Sequence, residues 1–382
     1  MIRQVKAKKY QPIKLDPTIL FSSTALLLIG LIMVGSTSII ISEKQFHGPF
    51  HFLIRQLLYF CFGLSMCWVV LQIPMQTWRK LSFPLLISIY LLLLLVLLPG
   101  IGREVNGSTR WISMGPLTLQ VSEVIKFFVI IFLADYLTRR EQEVQNSIYA
   151  FIKPLFLLGI MALLLLKEPD FGAVAVIFAT ALMLFFLAGV RIWQFIALFV
   201  IISLALFVLA VTSPYRLARL TTFLNPWAHE FSSGYQLTQS LIAFGRGGWF
   251  GVGLGDSIQK LFYLPEAHTD FLFAIFAEEI GLIGVFCVIV LYCTFFLRAL
   301  WIGHKAYKSN NKFNAYIAYG LGLWMAMQAL INMGVNAGVL PTKGLTLPFM
   351  SYGGSSMLMS MVVVGILLRI HYEITPTQAH RC

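Results

Sequence analysis

The stretch ILFSSTALLLIGLIMVGSTSIII, Ile19–Ile41, decides the class of fold. It runs for 23 residues without a charged side chain, and roughly 20 apolar residues of helix cross the hydrocarbon of a bilayer. The run is too long for the apolar core of a cleaved leader, and no small-x-small cleavage site follows it. The basic residues before it (Arg3, Lys6, Lys8, Lys9 and Lys14) therefore flank a first transmembrane helix.

Runs of the same kind recur outward to near the end of the chain. Bounded by charge, Pro or Gly, they fall at 19–41, 52–72, 81–99, 117–137, 150–166, 171–188, 192–211, 270–297, 314–338 and 347–369. The fifth and sixth are separated only by the tight turn Lys167-Glu168-Pro169-Asp170. Of the 382 residues 58% are hydrophobic and 12% charged, which excludes a water-soluble domain, a disordered chain and a secreted disulfide scaffold. The sequence predicts an all-α polytopic membrane protein of about ten transmembrane helices. A basic tail, 1–18, precedes a single membrane domain, 19–370, and a short tail, 371–382, follows it.

Charge sets the orientation. Seventeen of the 28 Lys and Arg residues fall on the side of the N-terminus and ten on the other, with Lys126 inside a span. The positive-inside rule then puts both termini in the cytoplasm. The net charge of +12 reflects these flanks and not a nucleic-acid surface. None of the five cysteines has a metal-ligand spacing with His, so they read as small packing residues.

The connection over 212–269, between the seventh and eighth stretches, is extracytoplasmic in this reading. It is far longer than the few residues usual between helices, and its aromatic residues (Tyr215, Phe223, Trp227, Tyr235, Trp249, Phe250 and Tyr263) argue for packing against the protein or the interface. Its exit, Leu264-Pro265-Glu266-Ala267-His268-Thr269-Asp270-Phe271, places carboxylates and an imidazole at the outer mouth of the eighth span. A partly desolvated carboxylate there suits general-base work or metal binding. Thr269 or Asp270 opening a helix as its N-cap is the other reading, and both can hold.

Six cations face the same compartment: Arg110, Arg216, Arg219, Arg246, Lys260 and Lys343. Forked guanidinium groups suit a phosphate-bearing ligand, while single cations also anchor to anionic headgroups. Gly245–Gly255 carries six glycines and reads as a flexible loop able to approach an anion. It is no dinucleotide fingerprint, since no βαβ unit can be built around it. Within the apolar runs lie Glu123 with Lys126, at i,i+3, and Glu278 with Glu279. Ionisable residues in a membrane mark function or structural pairing. The stretch Asn332–Ser356 is broken by prolines and glycines and carries two Asn and a Lys, which points to a cavity lining.

Together these segments resemble the SEDS family (shape, elongation, division and sporulation) of bacterial membrane proteins. The matching residues are Arg110-Trp111-Ile112, Ser122-Glu123 with Lys126, Glu168-Pro169-Asp170-Phe171-Gly172, Tyr215-Arg216 with Arg219, and Asn225-Pro226-Trp227. They continue through Gly234-Tyr235-Gln236 with Gln239-Ser240, Leu264–Asp270, Glu278-Glu279 and Leu340–Ser356. Pro341-Thr342-Lys343-Gly344-Leu345-Thr346-Leu347-Pro348 looks like the cell-division branch, since the elongation branch usually lacks the Thr-Lys pair. Val121 departs from the family, where Pro commonly stands.

The resemblance implies a glycosyltransferase that polymerises lipid II, an undecaprenyl pyrophosphate-linked disaccharide peptide, into peptidoglycan. It implies a class B penicillin-binding transpeptidase and other division proteins as partners, in contact with membrane lipids and without nucleic acid. It further implies the bacterial cytoplasmic membrane at the septum as the location. Asp270 matches the family's catalytic position, as base or as ligand of a divalent cation such as Mg²⁺, with no organic cofactor. Arg110, Trp111, Arg216, Arg219, Glu266, His268 and Lys343 would contact substrate, and Glu123, Lys126, Asp170 and Glu279 would serve structure or coupling. A lipid II flippase and a non-catalytic division scaffold are the competing readings.

Overall fold

The computed structural model describes residues 15–105, 108–115, 117–212, 222–342 and 344–375. Helices α1 (Pro17–Phe46), α2 (His51–Gln72), α3 (Met75–Lys80) and α4 (Ser82–Leu97) lead to a small sheet, β1 (Gly102–Val105), β2 (Ser108–Met114) and β3 (Leu117–Gln120). Then come α5 (Val121–Asn146), α6 (Ile148–Lys167), α7 (Phe171–Leu187) and α8 (Ile192–Val211). The chain closes with α9 (Tyr235–Gly247), α10 (Leu272–Lys308), α11 (Lys312–Asn336) and α12 (Gly354–Ile374).

Each of the ten apolar stretches contains most of a helix, two of them after a non-helical start of several residues. Among the described residues five helices are long and apolar enough by themselves to cross a membrane: α1, α2, α6, α10 and α12. Shorter apolar helices lie at Ser82–Leu97, Phe171–Leu187 and Ile192–Ala205. The protein is therefore a multi-pass membrane protein. Helices α5 and α11 are less apolar because they are interior. Glu123, Lys126 and Asp135 on α5, and Asn314, Gln328, Asn332 and Asn336 on α11, are all buried against neighbouring helices. Polar groups at such depth persist only where partners satisfy them.

Helix α1 starts where its sequence directs it to: Pro17 stands at the first position and the Asp16 carboxylate accepts from Thr18 N at 3.0 Å and Ile19 N at 3.1 Å. Helix α5 follows α4 through the sheet, packs on α11 and α7, and leaves α12 to pair with α2.

Two expectations need correction. The fold is not purely α: β1, β2 and β3 form an antiparallel sheet in which Trp111 pairs with Arg103 on one side and Gln120 on the other. The four residues of β3 had merged into the apolar run after them, so the fourth helix begins at Val121 and not at 117. The sheet is fastened to the bundle by Gln120 N donating to Ser355 Oγ at 2.7 Å and Thr118 N to Tyr59 Oη at 2.9 Å. Likewise residues 347–353 are irregular, and the last helix begins at Gly354.

Candidate active site

Asp270 lies two residues before α10, half-buried, in the turn that closes the long connection. Its carbonyl accepts from Asn332 Nδ2 at 2.8 Å and Asn336 Nδ2 at 2.9 Å, both on α11. Its carboxylate faces the backbone of Gly344: a Cβ built there would lie 2.9 Å from Asp270 Oδ2. A side chain at 344 would make the Asp270 carboxylate shift. Lys343, the preceding residue, lies outside the described residues, as do Arg216 and Arg219.

The neighbours of Asp270 in sequence divide their tasks. The Glu266 carboxylate accepts from the Thr269 hydroxyl at 2.7 Å, and the Glu266 carbonyl accepts from Thr269 N and Phe271 N, both at 3.2 Å. Glu266 therefore shapes the turn. The His268 imidazole packs 4.8 Å from the Phe52 ring and 5.6 Å from Tyr352, while its carbonyl accepts from Tyr352 N. Burial holds the imidazolium below its ordinary range and the Glu266 charge opposes this, so His268 is neutral at pH 7. The N-cap position of α10 is Phe271, not Thr269 or Asp270, and the buried amide of Ala274 donates to Asn336 Oδ1 at 3.1 Å.

A second cluster flanks the loop 344–347 from the other side. The turn between α6 and α7 buries Glu168 and Asp170 completely, and Asp170 caps α7 by accepting from Ala173 N at 3.1 Å. Arg110, on β2, comes within 3.7 Å of Asp170 Oδ1 and donates to Ser108 Oγ at 3.3 Å. Four buried atoms here have no hydrogen-bond partner among the described residues: Arg110 Nε, Asp170 Oδ2 and both Glu168 oxygens. Burial, and then the Asp170 charge, push the Glu168 carboxyl up to about 8 against the pull of Arg110. The cluster abuts the loop, for a Cβ at Gly172 would meet the Leu345 side chain at 3.0 Å. Trp111 stands beside Arg110 on the same strand, half-buried.

Glu123 and Lys126 meet inside the bundle at 2.7 Å, where Lys126 also donates to Gln328 Oε1 at 2.6 Å and lies 5.2 Å from the Trp324 ring. Gln328 in turn donates to Thr346 O at 3.1 Å, joining this pair to the loop opposite Asp270. A single Gln in an apolar run gave little reason to notice it. Its spacing of four from Asn332, and again to Asn336, is the signal that the sequence carried.

Arg246 and Lys260 are not open anion sites. Arg246 donates to the buried Glu278 at 2.8 Å, and Lys260 to Glu279 at 2.7 Å and Ser36 at 3.0 Å. Nor does the glycine-rich segment cradle an anion. It inserts into a break in α10, where Gly281 has φ +80°. Val252 N and Gly253 N donate to Glu278 O and Glu279 O, while Leu282 N and Ile283 N donate back to Gly248 O and Trp249 O. Gly251, at φ +79°, permits the contact, since a Cβ there would lie 2.2 Å from Glu279 O.

Among the described residues no three His, Cys, Asp or Glu side chains gather as a metal site. Asp270 offers one carboxylate, a donor set that suits Mg²⁺ only where substrate phosphates supply further oxygens.

Known proteins resemble this chain along its length. Residues 17–375 match the model of the FtsW, RodA and SpoVE family, described as cell cycle protein. A relative from Coxiella burnetii, named as a probable peptidoglycan glycosyltransferase FtsW, is 57% identical over 358 residues, 94% of this chain and 96% of that one. One of the same name from Legionella pneumophila is 55% identical over 364 residues, 95% of this chain and 92% of that one. Among solved structures, a chain of a peptidoglycan synthase complex described as coordinating polymerization and crosslinking superimposes with a TM-score of 0.78 at 27% identity, covering 95% of this chain and 99% of that one. The rod shape determining protein RodA of Thermus thermophilus gives 0.71 at 25% identity, with coverages of 96% and 99%. With the motifs, the helical order and the full-length matches in agreement, the chain belongs to the FtsW, RodA and SpoVE family of cell cycle proteins, the SEDS family.

Proposed function

We propose that the protein is a peptidoglycan glycosyltransferase of the cell-division branch, polymerising lipid II on the outer face of the bacterial cytoplasmic membrane at the septum. In this reading ten helices span the membrane as a single domain, both tails are cytoplasmic, and 212–269 is the extracytoplasmic connection. A class B penicillin-binding transpeptidase is the working partner, with other division proteins around it. The relatives' names and the synthase complex support the activity and the partnership.

The observation that carries the reading is the Asp270 carboxylate held against Gly344, at the meeting of two loops. Chain growth joins the 4-hydroxyl of an acceptor sugar to C1 of a donor whose leaving group is the lipid pyrophosphate. The C1–O4 bond forms, the C1–O(phosphate) bond breaks, and the acceptor proton must go to a base. Asp270 is that base. Negative charge accumulates on the departing pyrophosphate, and Arg110 is a half-buried cation placed to meet it, joined by Arg216, Arg219 and Lys343. Trp111, Glu266 and His268 line the approach. Asp270 would also hold Mg²⁺, which would neutralise pyrophosphate charge when bound. Glu123, Lys126, Asp170 and Glu279 hold the loops in place through the bonds described above.

The test is incubation of the purified protein, with and without its cognate transpeptidase, with labelled lipid II and Mg²⁺. A glycan ladder from wild type and none from Asp270→Ala is expected. Silence from folded wild type with an active partner would overturn the reading in favour of lipid II transport or scaffolding.

A further inference from the structure

Three buried amides project from α11 at intervals of four residues: Gln328, Asn332 and Asn336. On a helix this spacing is a single face. All three donate to backbone carbonyls of two segments remote in sequence, and Asn336 donates to Asn332 O on α11 as well. Gln328 holds Thr346 O, and Asn336 holds Asp270 O. Asn332 stands between them and holds both segments at once: its Nδ2 donates to Asp270 O at 2.8 Å and to Leu345 O at 2.5 Å. A primary amide nitrogen has two N–H groups, and here both are used.

We propose that Asn332 is a positioning residue for glycosyl transfer, fixing the separation between the Asp270 carboxylate and the loop 344–347 through one bridging nitrogen. This rests on the glycosyltransferase reading of the site. That the separation is tight has an independent sign, the 2.9 Å between Asp270 Oδ2 and the Cβ position of Gly344. No other side chain of similar size can replace the bridge: Asp has no donor, Ser has one, and Leu has neither donor nor acceptor. The segments have further anchors of their own. Asn336 still holds Asp270, Gln328 still holds Thr346, and Tyr352 N still donates to His268 O. Loss of Asn332 therefore uncouples the two segments from each other while each stays fastened to the bundle.

The experiment compares wild type, Asn332→Leu and Asn332→Ser, each with the cognate transpeptidase, in steady-state polymerisation of labelled lipid II. Backbone hydrogen exchange is followed over peptides covering 264–274 and 340–350. Misplacement of reacting groups by about 1 Å costs on the order of 100-fold. The expected result is a kcat about 10- to 100-fold lower for Asn332→Leu with KM within about threefold, and a smaller loss for Asn332→Ser, which keeps one donor. Exchange should rise in those two segments and not in α2 or α12. Because Gly344→Ala presses on the same separation, the double variant with Asn332→Leu should lose less than the product of the single losses. Unchanged kcat, a loss carried by KM alone, unchanged exchange in both segments, or fully multiplicative losses would each overturn the inference. If Asn332→Leu does not fold, the serine variant decides by the same criteria. Glycan made equally by wild type and variants overturns the inference alone, whereas no glycan from wild type overturns the glycosyltransferase reading with it.

Discussion

Arg110 reaches across from the sheet to stand 3.7 Å from Asp170, so strand β2 and the N-cap of α7 share one ion pair. Asp170 is already committed as the cap of α7 through Ala173 N. Arg110 keeps about a quarter of its side-chain surface exposed, at 23%.

Arg110→Ala should therefore affect substrate more than stability. A partly exposed pair of this length contributes about 0–1 kcal/mol. Steady-state kinetics are expected to give a KM for lipid II raised about tenfold, equivalent to ~1.4 kcal/mol, with a melting temperature within a few degrees of wild type. A variant that melts far lower with KM unchanged would make Arg110 a structural residue.

Asp170→Ala should show the reverse balance. It removes a helix cap worth about 1 kcal/mol and leaves Arg110 without its carboxylate. Thermal unfolding in detergent should register the loss, and Asp170→Asn, which can still cap, should recover most of it.

Glu168 gives the protein a pH-dependent stability of predictable sign. Its folded-state pKa is raised to about 8, so the folded state retains a proton that the unfolded chain releases near pH 4.5. Stability from this group is complete below about pH 4.5, declines as pH rises through the interval, and levels off above about 8. The slope is at most ~1.4 kcal/mol per pH unit. Melting temperatures between pH 5 and 8 should fall for wild type and fall less for Glu168→Gln. Parallel curves for the two proteins would exclude Glu168 as the group responsible.

The Glu123–Lys126 pair predicts a compensating double variant. Removing one partner leaves an unpaired buried charge, a loss of about 3–5 kcal/mol. Lys126→Met alone should thus be strongly destabilised, and Glu123→Gln combined with Lys126→Met should recover much of the loss. Denaturation of the three proteins in one detergent compares them directly. Failure of the double variant to recover would mean that Lys126 acts chiefly through Gln328.

Much of this architecture was legible in the chain, because its strongest signals are local. The ten apolar stretches, the turn at Lys167–Asp170 and the junction at Leu264–Asp270 were read from runs and breaks. The three-stranded sheet was not, since strand β3 has only four residues and continues without a break into an apolar helix. Arg246 and Lys260 were read as open cations because their partners lie 32 and 19 residues away, on α10. The glycine-rich segment was likewise read as a loop open to ligand, when its partner is a helix break near Gly281 that no local pattern announces.

That break has a consequence for how the sequence can vary. Gly251 and Gly281 both have positive φ, and each lies hard against the backbone of the other's segment: a Cβ built on Gly281 would lie 2.3 Å from Gly251 N, and one built on Gly251 would lie 2.2 Å from Glu279 O. Changing either residue leaves the other's obstacle standing, so no first step is open and no second step can repair it. The pair acts as a single two-residue letter of the sequence, and a designer wishing to straighten α10 would have to rewrite the loop and the helix together.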